Sequence, residues 1–409
     1  MTSETDDFYA WWRLAISLSL ATIGGIGAWA SVVALPTIQI EFGIDRSGAS
    51  LPYTVTMIGF AIGGVIMGRL ADRRGIAAPL LIAAISLGGG FVLAALAENY
   101  LQFLIVQFLL VGLLGSSATL GPLVADVSQW FHRKRGIAVA IVSSGNYLAG
   151  TMWPPFLQHA ISTYGWRATF IAIGILCACT MLPLALLLRR RPLYQDRPSP
   201  ASNPSGAGGL LERPGFLQPL LVLAGLACCV AMSMPQVHIV AYCGDLGFGP
   251  ARGAEMLSLM LGCGVVSRLA FGVIADRIGG ARTLIIGSLL QCLSLLFYIP
   301  FDGLMSLYIV SAFFGLAQGG IVPSYALIIR DYFPAKEAGF RISLVITATV
   351  LGMALGGWMS GEIFDLTGSY QAAFLNGILW NLLNLAIAFW LLSKPTERFR
   401  KGLFSAGKL

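Results

Sequence analysis

Residues 68–75 read GRLADRRG, and residues 272–279 read GVIADRIG. The two stretches share glycine, aspartate, arginine and glycine at the same spacing, about half the length of this 409-residue chain apart. The shared residues are Gly68, Asp72, Arg73 and Gly75 in the first copy and Gly272, Asp276, Arg277 and Gly279 in the second. A repeat of this kind indicates that the chain consists of two tandem halves.

The composition around the repeat is that of a membrane protein. Hydrophobic residues make up 56% of the chain and charged residues 11%, against roughly 45–50% and 25% in soluble domains. Apolar runs of about 20 residues, enough to cross a bilayer core about 30 Å thick, occur twelve times. They are 13–35, 49–70, 77–97, 100–123, 136–158, 167–189, 217–241, 253–275, 282–301, 304–328, 340–362 and 370–392. We therefore predict an all-α membrane protein with twelve transmembrane helices in two six-helix bundles, the layout of a transporter that holds its substrate between its halves.

A polar stretch separates the predicted sixth and seventh helices. It is rich in proline, serine, glycine and charge, and this composition favours a flexible linker. The predicted organisation is an N-terminal bundle at 1–189, a cytoplasmic linker at 190–215, a C-terminal bundle at 216–393 and a cytoplasmic tail at 394–409.

The net charge of +7 lies mostly on one side of the predicted membrane. On the outer side only Arg46, Arg167 and Arg252 are basic, whereas the other side carries basic clusters near 132–135 and 189–191. By the positive-inside rule both termini face the cytoplasm. We expect an integral multi-pass protein of the bacterial cytoplasmic (inner) membrane, a monomer whose bases orient it in the lipid bilayer and bind no nucleic acid.

The polar residues outside the repeat do not form a recognisable catalytic site. The seven cysteines lie almost wholly within apolar spans, without a CxxC pair, and no histidine cluster accompanies them. No nucleotide-binding loop, metal cluster or nucleophile with a base occurs at a membrane edge. We therefore expect neither an enzyme nor a cofactor.

The doubled motif and the six-plus-six layout resemble the major facilitator superfamily over nearly the whole chain. An aspartate beside an arginine at a helix end can pair with cations and helix termini of the other bundle. The eight motif residues are therefore expected to hold the cytoplasmic side closed. Within the superfamily, residues 130–145 resemble the start of helix 5 in monocarboxylate transporters and oxalate/formate exchangers, although Ala140 and Val142 depart from that pattern. GGIGAW at 24–29 resembles the opening of helix 1, without its initial acid.

One cation lies inside an apolar span. Arg268 stands eight residues before Asp276, about 12 Å along a helix, near the middle of the core. An arginine there costs roughly 2.5–3.5 kcal/mol or more and needs a partner. No acid lies within one turn, and Gly264 and Gly272 are expected to leave room beside the guanidinium. The cation therefore favours an anionic substrate, whose carboxylate it can bind through two parallel hydrogen bonds. The alternative is a structural arginine paired with carbonyls of helix 1, 4 or 10.

The resemblance assigns Arg268 the place of the substrate-binding helix 8 arginine in those carriers. Oxalate exchangers also have a lysine in helix 11, whereas residues 343–357 here contain no cation, so a monocarboxylate of the lactate or pyruvate type is favoured. Animal monocarboxylate carriers have an aspartate where this chain has Gly264, so proton symport and anion exchange both stay open.

Other polar groups lie in apolar spans and are candidates for the same site. Tyr325, Thr119, His238 and Asn146 are predicted to contact the substrate, with His238 also a candidate proton carrier, and Gln318 is a further polar group in helix 10. For each the alternative is an interhelical hydrogen bond. For the whole protein the alternatives are an exporter of drugs or other apolar compounds and a non-transporting membrane sensor.

Overall fold

A computed structural model describes residues 8–131, 134–190, 214–333 and 335–393. All regular elements in these ranges are helices. The membrane-spanning segments are α1 (Phe8–Phe42), α2 (Arg46–Arg74), α3 (Ala77–Ala95), α4 (Tyr100–Trp130), α5 (Arg135–Ser143 and Gly145–Tyr164), α6 (Trp166–Leu187), α7 (Pro214–Asp245), α8 (Pro250–Ile278), α9 (Gly280–Phe297), α10 (Leu304–Tyr332), α11 (Ala335–Thr367) and α12 (Tyr370–Leu392).

The prediction of an all-α protein with twelve spans is confirmed. Eleven helices in the described ranges are long and apolar enough to cross a membrane as they stand. The remaining span is α5, which Ser144 interrupts and whose second part, Gly145–Tyr164, is long enough but less apolar than the other spans. The predicted linker lies almost wholly, and the predicted tail fully, outside the described residues.

Four helices are irregular where small residues interrupt the apolar pattern. α1 breaks at Gly25 and α10 at Gly319. α4 contains wider π-helical turns over Gln107–Gly115 and a 3₁₀ turn over Ser116–Thr119. At the break in α5 the Ser144 hydroxyl donates to the Ile141 carbonyl, 2.6 Å away, and such bonds compete with regular helix. These interruptions leave backbone polar groups inside the bundles that other side chains can reach.

The glycines of α1 permit a close approach to α4. A Cβ atom on Gly27 would lie 2.1 Å from Ser116 Oγ, and one on Gly24 would lie 2.3 Å from Thr119 Cγ2. Only glycine fits at such distances, as is common where membrane helices pack through small residues. The glycine run of α1 therefore fixes α1 against α4 within the first half.

Each half also packs aromatic side chains of its own. In the first half Phe91 meets Phe170 edge-on at a centroid distance of 5.3 Å. In the second half Tyr298 stacks on Phe374 at 4.9 Å. Both contacts join helices of a single half, so they can persist when the halves move relative to one another.

The two halves are joined at the end of the molecule opposite the repeated motif. Arg46, at the start of α2, directs Nη2 to both carboxylate oxygens of Asp245, each 2.9 Å away. The Asp365 carboxylate accepts the backbone N–H groups of Arg46 and Ser47 at 2.8 and 2.7 Å. Asp365 thus caps the N-terminus of α2 from the other half, where the helix dipole favours a negative charge. We call Arg46, Ser47, Asp245 and Asp365 the latch.

The repeated motif lies at the other end, which we call the motif end. Asp72, Arg73, Asp276 and Arg277 are exposed, and within the described residues their side chains make no hydrogen bond or ion pair. Cβ atoms on Gly68 and Gly272 would meet nothing within 4 Å. The two halves are therefore in contact at the latch and apart at the motif loops. In this state the motif residues do not hold the molecule closed, and their gating role stays a prediction.

Breaking the latch should open the end that it closes. We expect Asp365→Ala to raise the population open at the latch about tenfold or more, because charge-assisted hydrogen bonds contribute roughly 1.5–3 kcal/mol each. Distances between spin labels at positions 40 and 366 would report this, since Ile40 and Leu366 are exposed near this end in different halves. The native cysteines are first replaced.

Asp302→Ala is the matched control for that experiment. Asp302 is an exposed acid between α9 and α10, at the same end as the latch. The distance distribution should be unchanged in this variant. An unchanged distribution in Asp365→Ala as well would show that the latch does not hold the halves together.

Candidate functional site

Arg268 lies in α8 at the junction between the halves. Its side chain is half-buried, and Nη1 donates to the Ser143 carbonyl, 2.9 Å away. The guanidinium also lies over the Tyr147 ring, 4.5 Å from its centroid. Ser143 and Tyr147 flank the break in α5, so a carbonyl freed by that break receives the arginine. The alternative expectation of carbonyls on helix 1, 4 or 10 was wrong about the helix, because the partner is α5.

The contact with Ser143 uses only part of the guanidinium. Nε is buried and has no hydrogen-bond partner, and Nη2 makes no hydrogen bond of good geometry within the described residues, although the Tyr147 side chain lies within hydrogen-bonding range of the guanidinium. Nε and Nη2 form one edge of the planar group, and this edge can bind a carboxylate through two parallel bonds. No aspartate or glutamate of the described residues forms an ion pair with Arg268.

The space beside Arg268 differs from the expectation. A Cβ on Gly264 would lie 2.6 Å from Tyr147 Cε1, so the absence of a side chain makes room for the Tyr147 ring rather than for a ligand. Gly272, on the other side of Arg268, has open space as expected. The expectation for Gly264 was wrong because a ring from the other half occupies its surroundings.

Two buried glutamines lie next to the same position. Gln236 in α7 donates Nε2 to Gln318 Oε1 in α10, 2.5 Å away. Gln318 Nε2 is buried without a partner, and it lies 3.7 Å from the Cβ that Gly264 would carry. Helices α5, α7, α8 and α10 thus bring the Arg268–Tyr147 stack and this amide pair together.

Asn146 and Thr119 are the predicted site residues of the first half. The Asn146 side chain is half-buried and makes no hydrogen bond within the described residues, and its carbonyl accepts from Trp29 Nε1 at 3.3 Å. The Asn146 Oδ1 atom lies 3.4 Å from the position of a Cβ on Gly25 in α1, so this amide borders α1. Thr119 is buried, donates to the Ser116 carbonyl at 2.7 Å and packs on Gly24, so its side chain serves the α1–α4 contact.

Tyr325 and His238 are the predicted site residues of the second half, and both are buried within it. The Tyr325 hydroxyl lies 3.0 Å from the Ala224 carbonyl and 2.7 Å from Asn384 Oδ1. His238 Nδ1 lies 3.2 Å from the Tyr370 hydroxyl, and Nε2 lies 2.7 Å from the Gly357 carbonyl. Their polar atoms therefore join helices of one half, and the structure does not bring them together with Arg268. Their contact with a substrate stays a prediction that this geometry does not favour.

A groove of about 490 Å³ between α5 and α8 is separate from this arrangement. Its α8 residues are Glu255, Ser258, Leu259, Gly262, Cys263 and Val266. At 100° per residue these positions share the face of α8 opposite Gly264 and Arg268. The groove therefore does not extend the site around Arg268.

Sequence reasoning missed a second buried arginine. Arg13 in α1 is 1% exposed, and its Nε and Nη2 each lie 2.8 Å from one carboxylate oxygen of Asp126 in α4. Nη2 also donates to the Leu188 carbonyl at 3.2 Å, and the guanidinium lies 4.6 Å from the centroid of a Trp130 ring. Arg13 begins the first predicted span, and Asp126 follows the fourth, so both looked like residues at a membrane edge.

A family model described as Major Facilitator Superfamily matches residues 18–306 and, in a second match, residues 245–408. Monocarboxylate transporter 13 of Rattus norvegicus is 26% identical over 333 residues, which are 80% of this chain and 75% of that protein. Agnestins efflux protein AgnL12 of Paecilomyces divaricatus is 24% identical over 346 residues, 83% of this chain and 78% of that protein.

A solved structure with a similar fold is that of a bacterial homolog to the human lysosomal transporter Spinster, in an inward-facing and occupied conformation. It aligns with a TM-score of 0.72 at 15% identity over 94% of this chain and 97% of that chain. Identity at this level shows a common fold alone. The two curated relatives differ in what their names say they carry, so the similarity does not decide the substrate.

Proposed function

Because this chain belongs to the major facilitator superfamily, whose members are secondary transporters and not enzymes, we propose that its substrate is a small organic anion, most simply a monocarboxylate of the lactate or pyruvate type. The substrate would bind between the halves, and alternating access would carry it across the membrane. We propose further that the motif end faces the cytoplasm, as the positive-inside rule predicts, so that the described state is open inward.

The observation that carries the proposal is the unoccupied edge of Arg268. A buried donor without a partner costs about 1–3 kcal/mol, and a guanidinium near the middle of a membrane costs more. A carboxylate at the Nε–Nη2 edge would remove both costs in one step. Within the described residues no fixed acid or second cation lies beside this edge, which supports a substrate with one negative charge.

An exporter of drugs or other apolar compounds is the second candidate, and the efflux protein among the relatives favours export. An exporter of cations would need an acid in the cavity. Asp126 is the one buried acid among the described residues, and Arg13 neutralises it. Arg268, which forms no ion pair among the described residues, therefore argues against cationic substrates and for anionic ones.

Uptake into liposomes containing the purified protein tests the proposal. Labelled lactate, pyruvate, acetate and oxalate would be offered to vesicles loaded with the same unlabelled acid and to empty vesicles. Saturable uptake of monocarboxylates, with little uptake of oxalate, is the expected result. If no acid moves under any condition, the anion proposal fails, and uncharged compounds become the next substrates to test.

The coupling mode leads to a separate prediction. An animal carrier's aspartate is replaced here by Gly264, and the Tyr147 ring fills its surroundings. With no fixed carboxylate beside Arg268, the empty carrier keeps an unneutralised charge in the membrane, which opposes its return without substrate. We expect internal unlabelled acid to accelerate uptake at least tenfold and a proton gradient alone to drive little. Equal uptake by empty vesicles under an inward proton gradient would contradict exchange and favour symport.

The membrane in which the protein resides is a further part of the proposal. The cytoplasmic membrane of a bacterium remains our prediction from the sequence. The two curated relatives named above are eukaryotic, so a eukaryotic membrane is the alternative. Fluorescent tagging of the protein in its native cells would distinguish these locations.

A further inference from the structure

The amide pair between α7 and α10 has no assigned role. Gln236 and Gln318 are both almost fully buried, at 2% and 1% exposure. They make one amide hydrogen bond with each other, and the second donor of the pair, Gln318 Nε2, is unpaired. Buried polar groups in proteins nearly always have a partner, so an orphaned donor calls for an explanation.

Gln318 Nε2 lies near Arg268, whose Nε also has no hydrogen-bond partner. Gly264 lies one turn before Arg268 in α8, and its Cβ position is 3.7 Å from Gln318 Nε2 and 2.6 Å from the Tyr147 ring on which Arg268 lies. A Cβ on Gly319, the residue after Gln318, would lie 2.6 Å from the backbone nitrogen of Arg268. The two orphaned donors, Arg268 Nε and Gln318 Nε2, thus both lie next to the Tyr147 ring, which occupies the space beside Gly264.

Both orphaned groups are donors, and this restricts what can satisfy them. A carboxylate at the Arg268 edge provides acceptors for the guanidinium only. A second acceptor must reach Gln318 Nε2, and it must be uncharged because no second cation is present among the described residues here. A hydroxyl or keto oxygen on the carbon next to the carboxylate is an uncharged acceptor of this kind.

We infer that Gln318 determines specificity by donating a hydrogen bond to an oxygen on carbon 2 of the substrate, with Gln236 holding its amide in place. The carrier then selects 2-hydroxy and 2-oxo monocarboxylates over unsubstituted acids of the same length. This inference rests on the proposed function, since Arg268 must first bind the carboxylate. A site that hydrogen-bonds a substrate oxygen discriminates against the analogue without it, because the buried donor is then left unpaired.

The test is competition among three acids of one chain length. Pyruvate, lactate and propionate would compete against labelled pyruvate in liposomes containing the wild-type protein and the Gln318→Met variant, which keeps the side-chain length and removes the donor. We expect the wild type to bind pyruvate and lactate about tenfold more tightly than propionate, the effect of one hydrogen bond of about 1.4 kcal/mol. In Gln318→Met the preference should fall to about twofold or less, mainly through weaker binding of pyruvate and lactate.

Gln291→Met is the matched control. Gln291 is a buried glutamine of α9 in the same half, and its Nε2 donates to the Cys228 carbonyl at 3.3 Å, within the helix packing. The preference should survive in this variant. Gln318→Asn, which restores an amide, should recover part of the preference if Gln318→Met folds poorly.

The other possible results of the competition experiment each contradict a specific part of the proposal. Equal affinity of the wild type for propionate and pyruvate overturns the role of Gln318 while leaving the anion proposal intact. An unchanged preference in Gln318→Met, or an equal loss for all three acids, also overturns it, since the amide would then act only in packing. If none of the three acids competes or moves with the wild type, the proposed function fails and this inference fails with it.

Discussion

Arg268→Gln is expected to abolish saturable uptake of monocarboxylates. The substitution removes the charge and both donors of the Nε–Nη2 edge, and loss of one partner of a buried, hydrogen-bonded charge pair costs about 2–5 kcal/mol. That cost corresponds to binding at least about 30-fold weaker. Arg268→Lys keeps the charge without the planar fork and should retain part of the affinity. Uptake assays in liposomes and ligand-induced thermal stabilisation would measure both effects.

Thermal stabilisation distinguishes a binding role from a structural one. Arg268 also donates to the Ser143 carbonyl across the halves, so a variant could lose transport only because that contact is lost. In the binding role, pyruvate stabilises the wild-type protein and no longer stabilises Arg268→Gln, whose unliganded melting temperature is nearly unchanged. Arg189→Gln, which alters an exposed cation after α6, should behave as wild type. Normal transport by Arg268→Gln, or full stabilisation of it by pyruvate, would refute the assignment.

The helical spans could be predicted from the sequence because the thickness of the bilayer sets their length. The break in α5 could not, since a hydropathy average does not register one interrupted turn. The same break supplies the Ser143 carbonyl that Arg268 contacts. The partner of a central arginine thus depended on how two halves pack, and no local pattern encodes that packing.

The positions of Tyr325 and Gln318 show a second structural feature that could not be predicted from the sequence. They lie about two turns apart in α10, so an unbroken helix would place both on one face. Gly319 and Gly320 interrupt the helix between them, and Tyr325 points into its own half toward Asn384 while Gln318 lies beside Gly264. The glycine pair was visible in the sequence, but the rotation that it allows was not.

Arg13 and Asp126 could have been paired from the sequence. Arg13 is the one basic residue of α1, and Asp126 is the one acidic residue of α4. Lone opposite charges at the same end of two helices in one bundle are candidates for an ion pair, because a buried charge needs a partner. Because each charge was interpreted separately as a residue at a membrane edge, the ion pair was not predicted.

Removing Arg13 is expected to destabilise the protein more than any other single charge change outside the substrate site. Arg13→Met leaves the Asp126 carboxylate buried without its bidentate partner, and breaking a buried pair in this way costs about 3–5 kcal/mol. The melting temperature of the detergent-solubilised protein should fall strongly. The double variant Arg13→Met/Asp126→Leu should regain most of the loss, since replacing a buried pair by apolar groups is often nearly neutral. Arg252→Met, which breaks the exposed pair with Glu255, should change the melting temperature little.

The location of each charge pair decides which property it controls. Arg13 and Asp126 lie within one half and keep their distance while the halves rock, so their loss should lower stability without changing the balance between states. Arg46 bonds Asp245 across the halves, and that contact must break in each transport cycle. Spin-label distances at positions 40 and 366 should therefore shift in latch variants and stay unchanged in Arg13→Met/Asp126→Leu. A shifted distribution in the double variant would mean that the first half does not move as one body.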